Sequence, residues 1–345
     1  MRRIPTLDGW RGIAILLVIV THLQAGLLGH VWRYRWMDLG QHGVGIFFVL
    51  SGYLITSGLL RDERGLGSFY VRRLFRLMPC AWLYLAVLPV VGLLLHARLL
   101  GHEVWGCLLF YRNFVPTPEN SQNAFTSHFW SLSMEEQFYL FWPFILVFAG
   151  KKRALAVAVV GACGCAALRC FLWDWASRHK LATEVRIDAL LIGCTLAFLL
   201  ESEVVRGFIV RHAALLFYGS LPMFFWCVYR FQAIPPFRES IAIATMIAVT
   251  SLTPSSWVGR FLENRHLKFL GIISYSVYVW QELFLLPHWG FIGLALLIPV
   301  SIGSYMFIER PGVKLGRKVQ GWFERRERAA PEMAVGPVRD GFVQF

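Results

Sequence analysis

Two ionisable side chains stand on one helical stripe near the start of the chain. Arg11 and His22, in "LDGWRGIAILLVIVTH", are eleven residues apart. At about 100° per residue that separation returns to the same helix face, roughly 16 Å further along. The run between them is apolar, so an arginine sits at the mouth of a membrane-like segment and an imidazole lies deep in it. An ionisable group at that depth faces a bundle interior or a water-filled cavity. Such an imidazole can accept a proton in catalysis. It can equally be a structural histidine bonded to a backbone carbonyl, and the spacing leaves both open.

A second set lies in "FYVRRLFRLMP", residues 69–79. Arg73 and Arg76 are i, i+3 and share a face, with Arg72 to one side. Clustered guanidiniums suit a polyphosphate, because the planar fork pairs with phosphate oxygens. The same cluster also fits an ordinary basic flank of a membrane span. No Gly-rich phosphate loop or dinucleotide fingerprint accompanies it.

A third set is "HFWSLSMEEQF", residues 128–138, which runs on into "YLFWPFILVF". Carboxylates entering an apolar segment are expensive. On a helix, His128, Ser131 and Glu135 fall on one stripe and Glu136 about a quarter-turn away. One reading makes these helix-start groups, with Ser131 or Ser133 as N-cap and the acids favoured by the helix dipole. The other makes a carboxylate orient a histidine and stabilise its imidazolium form. On that reading Glu135 is expected to reach His22, and Glu136 to serve the helix start or a neighbouring arginine.

The elements that must hold these groups follow from composition. Of 345 residues, 57% are hydrophobic and 16% charged, with mean hydropathy +0.53. A soluble domain of this size carries far more charge. Apolar runs of about 18 residues or more recur, each long enough to cross a bilayer. The fold class expected is all-α, a polytopic transmembrane helical bundle of about ten spans. They lie near 11–28, 43–60, 78–96, 130–149, 154–173, 187–200, 208–227, 238–254, 270–286 and 290–308. The sixth is short, and "VWGCLLFY" at 104–111 reads as an interfacial or re-entrant piece. The alternating pattern of a β-barrel is absent.

Net charge is +13. In a soluble protein that would suggest nucleic acid; here it reads as the basic bias of cytoplasmic segments, and no nucleic-acid partner is expected. With the N-terminus inside, Lys and Arg favour the inner segments by about three to one, which implies cytosolic N- and C-termini. Residues 112–127 are polar, with two prolines, and read as an outer loop around Asn120. The apolar core after "MRRIP" lacks a small-residue cleavage site and reads as a retained first helix. The expected division is a membrane domain, 1–312, and a basic cytosolic tail, 313–345, partly disordered. The seven cysteines lie almost all in apolar runs, odd in number and without metal-ligand spacing. They are read as packing residues, and no metal is expected.

Seven ordered motifs resemble the acyltransferase 3 family of bacterial membrane O-acyltransferases. Its members acetylate O-antigen, exopolysaccharide, peptidoglycan and macrolides. The opening "LDGWRGIAILLVIVTH", "GVGIFFVLSGYLI" (43–55), "FYVRRLFRLMP" and "HFWSLSMEEQFYLFWP" are similar to its motifs, and the last is the most distinctive. "VRIDALLIG" (185–193), "LGIISYSVYVW" (270–280) and "IERP" (308–311) also match.

The resemblance implies a reaction. Cytosolic acyl-CoA, with acetyl the first expectation, would be the donor substrate, bound near Arg11, Arg72, Arg73 and Arg76, with no permanently bound cofactor. His22 would take a proton from the acceptor hydroxyl or carry the acyl group briefly, with Glu135 and Glu136 as further catalytic candidates. Ser131, Ser133, Arg186 and Asp188 would lie on the acceptor side or be structural. The acceptor would be a glycan or glycolipid at the extracytoplasmic face of the bacterial inner membrane, or a small lipophilic metabolite such as a macrolide. A transporter or flippase is the rival from another class, since buried ionisable residues suit it too. Two positions depart from the family pattern. Gly45 stands where an acidic residue is usual, and Gln281 where His is usual. Many relatives carry a fused extracytoplasmic hydrolase-like domain; none is expected here, so any such second step would need another protein.

Overall fold

The computed structural model describes residues 4–26, 39–61, 65–94, 96, 100–116, 124–229, 237–285 and 290–329. Among the described residues there are helices and no strands. In chain order they are α1 (Pro5–Gly26), α2 (Leu39–Arg61), α3 (Gly65–Leu94), α4 (Gly101–Leu108) and α5 (Phe129–Phe171). Then come α6 (Trp173–Arg178), α7 (Thr183–Arg186), α8 (Asp188–Leu199), α9 (Glu203–Arg211) and α10 (Ala213–Tyr229). The last are α11 (Phe237–Leu252), α12 (Trp257–Leu262), α13 (Arg265–Phe284), α14 (Gly290–Ser304) and α15 (Arg310–Ala329).

Five helices among the described residues are long and apolar enough to cross a membrane, or six if the bent pair α9 and α10, at 78°, counts as one span. That is fewer than the ten expected, for three physical reasons. First, α5 takes in two expected spans. It is broken at Gly150, whose φ of 75° and ψ of 166° end one helix and begin the next; a side chain there would strain the backbone. Second, α8 and α11 have 12 and 16 residues, short of the ~20 needed to span alone. Third, α13 carries Arg265, His266 and Lys268 at one end and Gln281 and Glu282 at the other.

The site is positioned chiefly by α1, α2, α3, α5 and α13. Helices α1 and α13 run side by side and parallel. A Cβ at Gly12 would collide with the carbonyl of Leu267, and one at Gly271 with the carbonyl of Asp8. Glycine at both positions lets the two backbones touch, which sets their register. Eleven residues beyond Arg11 is His22, and eleven beyond Gly271 is Glu282. Both helices advance about 16 Å over that stretch, so these two side chains arrive together. At the same end of α1, the backbone N–H of Gly40 donates to Thr21 Oγ1 at 2.7 Å and brings in the start of α2.

Helix α5 is held at its start by a short cap. The stretch 104–111, expected as an interfacial or re-entrant piece, falls on and just after α4, which leads into a 3-10 turn at Arg112–Phe114. Arg112 pairs with Glu103 at 3.2 Å, both 1% exposed, and its guanidinium also donates to the carbonyl of Val115. The backbone N–H of Arg112 donates to Ser133 Oγ at 3.2 Å. Gln137 Nε2 donates to Asn113 Oδ1 at 2.9 Å and to the carbonyl of Phe110. Residues 117–123 of the expected outer loop, Asn120 included, lie outside the described residues.

The expected boundary at 312 falls inside α15, which continues from α14 through a π turn at Tyr305–Glu309. Helix α15 lies on α3, where Gly312 seats against the carbonyl of Phe75. Residues 330–345, the rest of the expected tail, lie outside the described residues.

Candidate functional site

Glu282 connects two imidazoles. Its Oε1 lies 3.6 Å from His22 Nε2 and accepts from Ser127 Oγ. Its Oε2 lies 2.9 Å from His128 Nδ1. The other nitrogen of each ring faces a backbone carbonyl: His22 Nδ1 lies 2.9 Å from Val18 O, and His128 Nε2 lies 3.0 Å from Val279 O. A carbonyl can only accept. His22 therefore carries its proton on Nδ1 when neutral, and Nε2 is its basic nitrogen. His128 sits between two acceptors, the Val279 carbonyl at Nε2 and Glu282 at Nδ1. His22 has 31% side-chain exposure, whereas Glu282 has 5%, so His22 is the member of the group that is open to a substrate.

A cavity lies among the helices. Arg11, Arg73 and Arg76 line it, and Glu135 lies across from them. Their charges are close enough to act on one another. Among the described residues no hydrogen bond or ion pair occupies these three guanidiniums. The Arg73 guanidinium lies over the Tyr139 ring at 4.4 Å. Glu135 accepts from Ser51 Oγ at 2.7 Å. Away from the arginines the lining includes Ser131 and Tyr278, which share a hydrogen bond. The Tyr278 hydroxyl also donates to the carbonyl of His128 at 3.2 Å, so this lining adjoins the histidine–carboxylate group.

Several expectations change. Glu282 is the carboxylate at His22, and Glu135 belongs to the arginine cavity instead. The reason is helix register: α5 presents Glu135 toward Ser51 of α2, about a turn and a half beyond its start, whereas His128 at the start turns toward α13. The helix-start reading of the pair also fails. Helix α5 begins at Phe129 with His128 as N-cap and no acid in its first turn. Neither Ser131 nor Ser133 is an N-cap; Ser133 receives the Arg112 N–H and pins the α4 cap. Glu136 is within electrostatic range of Arg73 and Glu135 but is not part of the cavity lining.

Arg72 is separated from its two neighbours. Its Nη1 donates to Ser68 Oγ at 2.6 Å and to Gln320 Oε1 of α15 at 3.2 Å, as its different helix face requires. Asp188 is buried in an ion pair with Arg169, at 2.6 Å. Arg186 donates to Gln41 Oε1 and lies over the Trp130 ring at 4.8 Å. Arg186 and Asp188 therefore stand apart from the arginine cavity. Gln281 does not join the Glu282 group; it is fully buried, and neither amide atom is hydrogen-bonded among the described residues.

Sequence reasoning missed Glu282, Tyr278 and Ser51. A signal for Glu282 was present: a carboxylate near the end of an apolar run carries the same desolvation cost that singled out Glu135. Ser51 and Tyr278 offered none, because hydroxyls are ordinary packing residues in membrane helices.

A family model described as an acyltransferase domain matches residues 4–308. A "Putative O-acetyltransferase" of Staphylococcus aureus (strain COL) is 32% identical over 366 residues, covering 93% of this chain and 59% of the relative. "Putative peptidoglycan O-acetyltransferase YrhL" of Bacillus subtilis (strain 168) is 33% identical over 359 residues, covering 90% of this chain and 55% of the relative. "O-acetyltransferase OatA" of Staphylococcus aureus (strain NCTC 8325 / PS 47) is 28% identical over 370 residues, covering 94% and 60%. The chain thus spans less than two thirds of the length of these relatives. No solved structure matches it.

Proposed function

The chain belongs to the acyltransferase 3 family, and on that premise we propose that it is a membrane O-acyltransferase using acyl-CoA, with acetyl as the group moved. The observation that carries this reading is the cavity in which Arg11, Arg73 and Arg76 converge, without a direct ion pair among the described residues, beside the His22–Glu282–His128 group. Three guanidiniums around one space favour a polyanion such as the phosphates of CoA. The names of the relatives support a hydroxyl acceptor on a cell-envelope glycan.

In the reaction the acceptor oxygen attacks the thioester carbonyl and its proton passes to His22 Nε2. Glu282 stabilises the imidazolium so formed, and the Val18 carbonyl holds the ring in the required tautomer. The tetrahedral intermediate collapses with cleavage of the carbon–sulfur bond. The proton then moves from His22 to the departing sulfur, releasing CoA thiol and an O-acyl ester. Glu135 keeps Ser51 and Tyr139 in position under Arg73.

The topology we propose is the ten-span one, with both chain ends cytosolic, in the inner membrane. The arginine end then faces the cytosol, where CoA is found, and His22 lies toward the outer side.

The test is transfer of labelled acetyl from acetyl-CoA in isolated membranes, read as alkali-labile label in envelope glycan. Wild type should form it. His22→Ala should lose about 10²–10⁴-fold in rate while still binding CoA. Near-normal turnover of His22→Ala would make the imidazole structural. Uptake of glycan without ester formation would favour the transporter class.

A further inference from the structure

A second, smaller cavity lies on the other side of Val44 and Phe48 from the first. Those two residues are i, i+4 on α2 and line both spaces, so a single turn of helix separates them. The second cavity draws on the beginnings of α2, α8 and α11 and on Trp130 of α5. The start of α2 is bonded to Thr21, next to His22. This space therefore belongs to the His22 end of the bundle.

Glu239 lines it and is 1% exposed. One carboxylate oxygen, Oε1, is held by His42 Nδ1 at 2.7 Å. The other, Oε2, is buried and has no hydrogen-bond partner among the described residues. A buried carboxylate oxygen without a donor is costly, and a donor entering the space would relieve that cost. The lining also constrains what can enter. The Arg186 guanidinium disfavours a cation and the Glu239 carboxylate disfavours an anion. A neutral ligand with several hydroxyls suits both, donating to Glu239 and accepting from basic groups. Phe48 and Trp130, packed edge to face at 6.0 Å, add an apolar wall of the kind that meets the C–H face of a sugar ring. Gly45 leaves room: a Cβ there would stand 3.6 Å from Glu239 Oε1 and from Ile243 Cδ1.

We propose that this cavity is the acceptor subsite, and that Glu239, oriented by His42, binds a hydroxyl of a neutral sugar ring of the glycan. The inference rests on the O-acyltransferase reading above and adds where, and through which group, the acceptor is held. Donor and acceptor then approach from opposite sides of the Val44–Phe48 turn.

The experiment uses the full chain in membranes, with labelled acetyl-CoA and muramidase-solubilised peptidoglycan fragments as the acceptor probe. Glu239→Gln keeps the shape and the His42 contact but removes the charge that accepts the hydroxyl. Its KM for the fragments should rise about tenfold or more, since hydrogen bonds to charged groups are the strong ones. Its KM for acetyl-CoA should stay unchanged. Gly45→Ala adds one methyl at an ordinary contact distance; it should fold as wild type and raise the fragment KM severalfold. Unchanged fragment KM in both variants would overturn the subsite, as would an equal rise in the donor KM. Wild type that esterifies membrane lipids but not the fragments would overturn the sugar-ring assignment alone. Wild type that forms no ester from acetyl-CoA would overturn the O-acyltransferase reading and the subsite with it.

Discussion

His22 and Glu282 meet at 3.6 Å because two glycines about 16 Å away let α1 and α13 lie in backbone contact. Gly12 and Gly271 set the register, and equal advance along two parallel helices does the rest. The carboxylate that reaches the candidate base thus comes from α13, 260 residues further along the chain. Glu135, which looked most suited to the role, faces a different space.

This relationship separates the two carboxylates by experiment. Glu282→Gln should lower acetyl transfer about 10²-fold or more, the lower range of general acid–base contributions, with CoA affinity retained. Glu135→Gln should cost less, because its contacts are Ser51 and the arginine cavity. Transfer rates at matched expression check this. A larger loss in Glu135→Gln than in Glu282→Gln would return Glu135 to the centre of the chemistry.

The arginines should divide by face. Arg73→Ala and Arg76→Ala should each weaken CoA binding, and Arg76→Lys should do so as well because it loses the bidentate fork. Arg72→Ala should leave donor affinity near wild type, since Arg72 is engaged with Ser68 and Gln320. Binding of labelled CoA to solubilised protein would measure all four. Equal effects from Arg72 and Arg76 would remove the cavity as the donor site.

Topology can be read with single cysteines in a cysteine-free background. Lys180→Cys, exposed just after α6, should react with a membrane-impermeant maleimide in intact cells. Lys152→Cys, exposed just after the Gly150 break, should react only after permeabilisation. The opposite pattern would invert the proposed orientation.

The buried pair Arg169 and Asp188 is expected to act on stability. Both are buried, with two hydrogen bonds between them. Asp188→Leu alone should destabilise the protein by about 3–5 kcal/mol, because it strands a buried guanidinium. Arg169→Met combined with Asp188→Leu should recover much of that loss. Thermal unfolding of purified protein in detergent would show it; equal stability of the single and double variants would mean the pair is well hydrated.

Much of the fold was legible one residue at a time. Apolar runs and their basic flanks report the cost of moving each side chain into a bilayer, and that cost is local. The all-helical class followed from it, as did the break between the two halves of α5 near Gly150. The ten-span count did not follow so simply. Helices such as α8 and α11 are too short to be spans by themselves, and their surroundings are other helices.

The candidate site divides the same way. Spacing along one helix sufficed to set Arg73 and Arg76 together and Arg72 apart, because helical phase is a property of the segment alone. It also put Arg11 and His22 on one stripe. Contacts between helices had no such signal. Which carboxylate faces His22, whether Glu135 meets Ser51, and where Glu239 stands beside Gly45 depend on the register and rotation of packed helices. Sequence alone therefore determined the kinds of groups and their faces. Only the tertiary structure decided which groups met, because close packing at Gly12 and Gly271 selects one alignment among several that the apolar pattern allows equally.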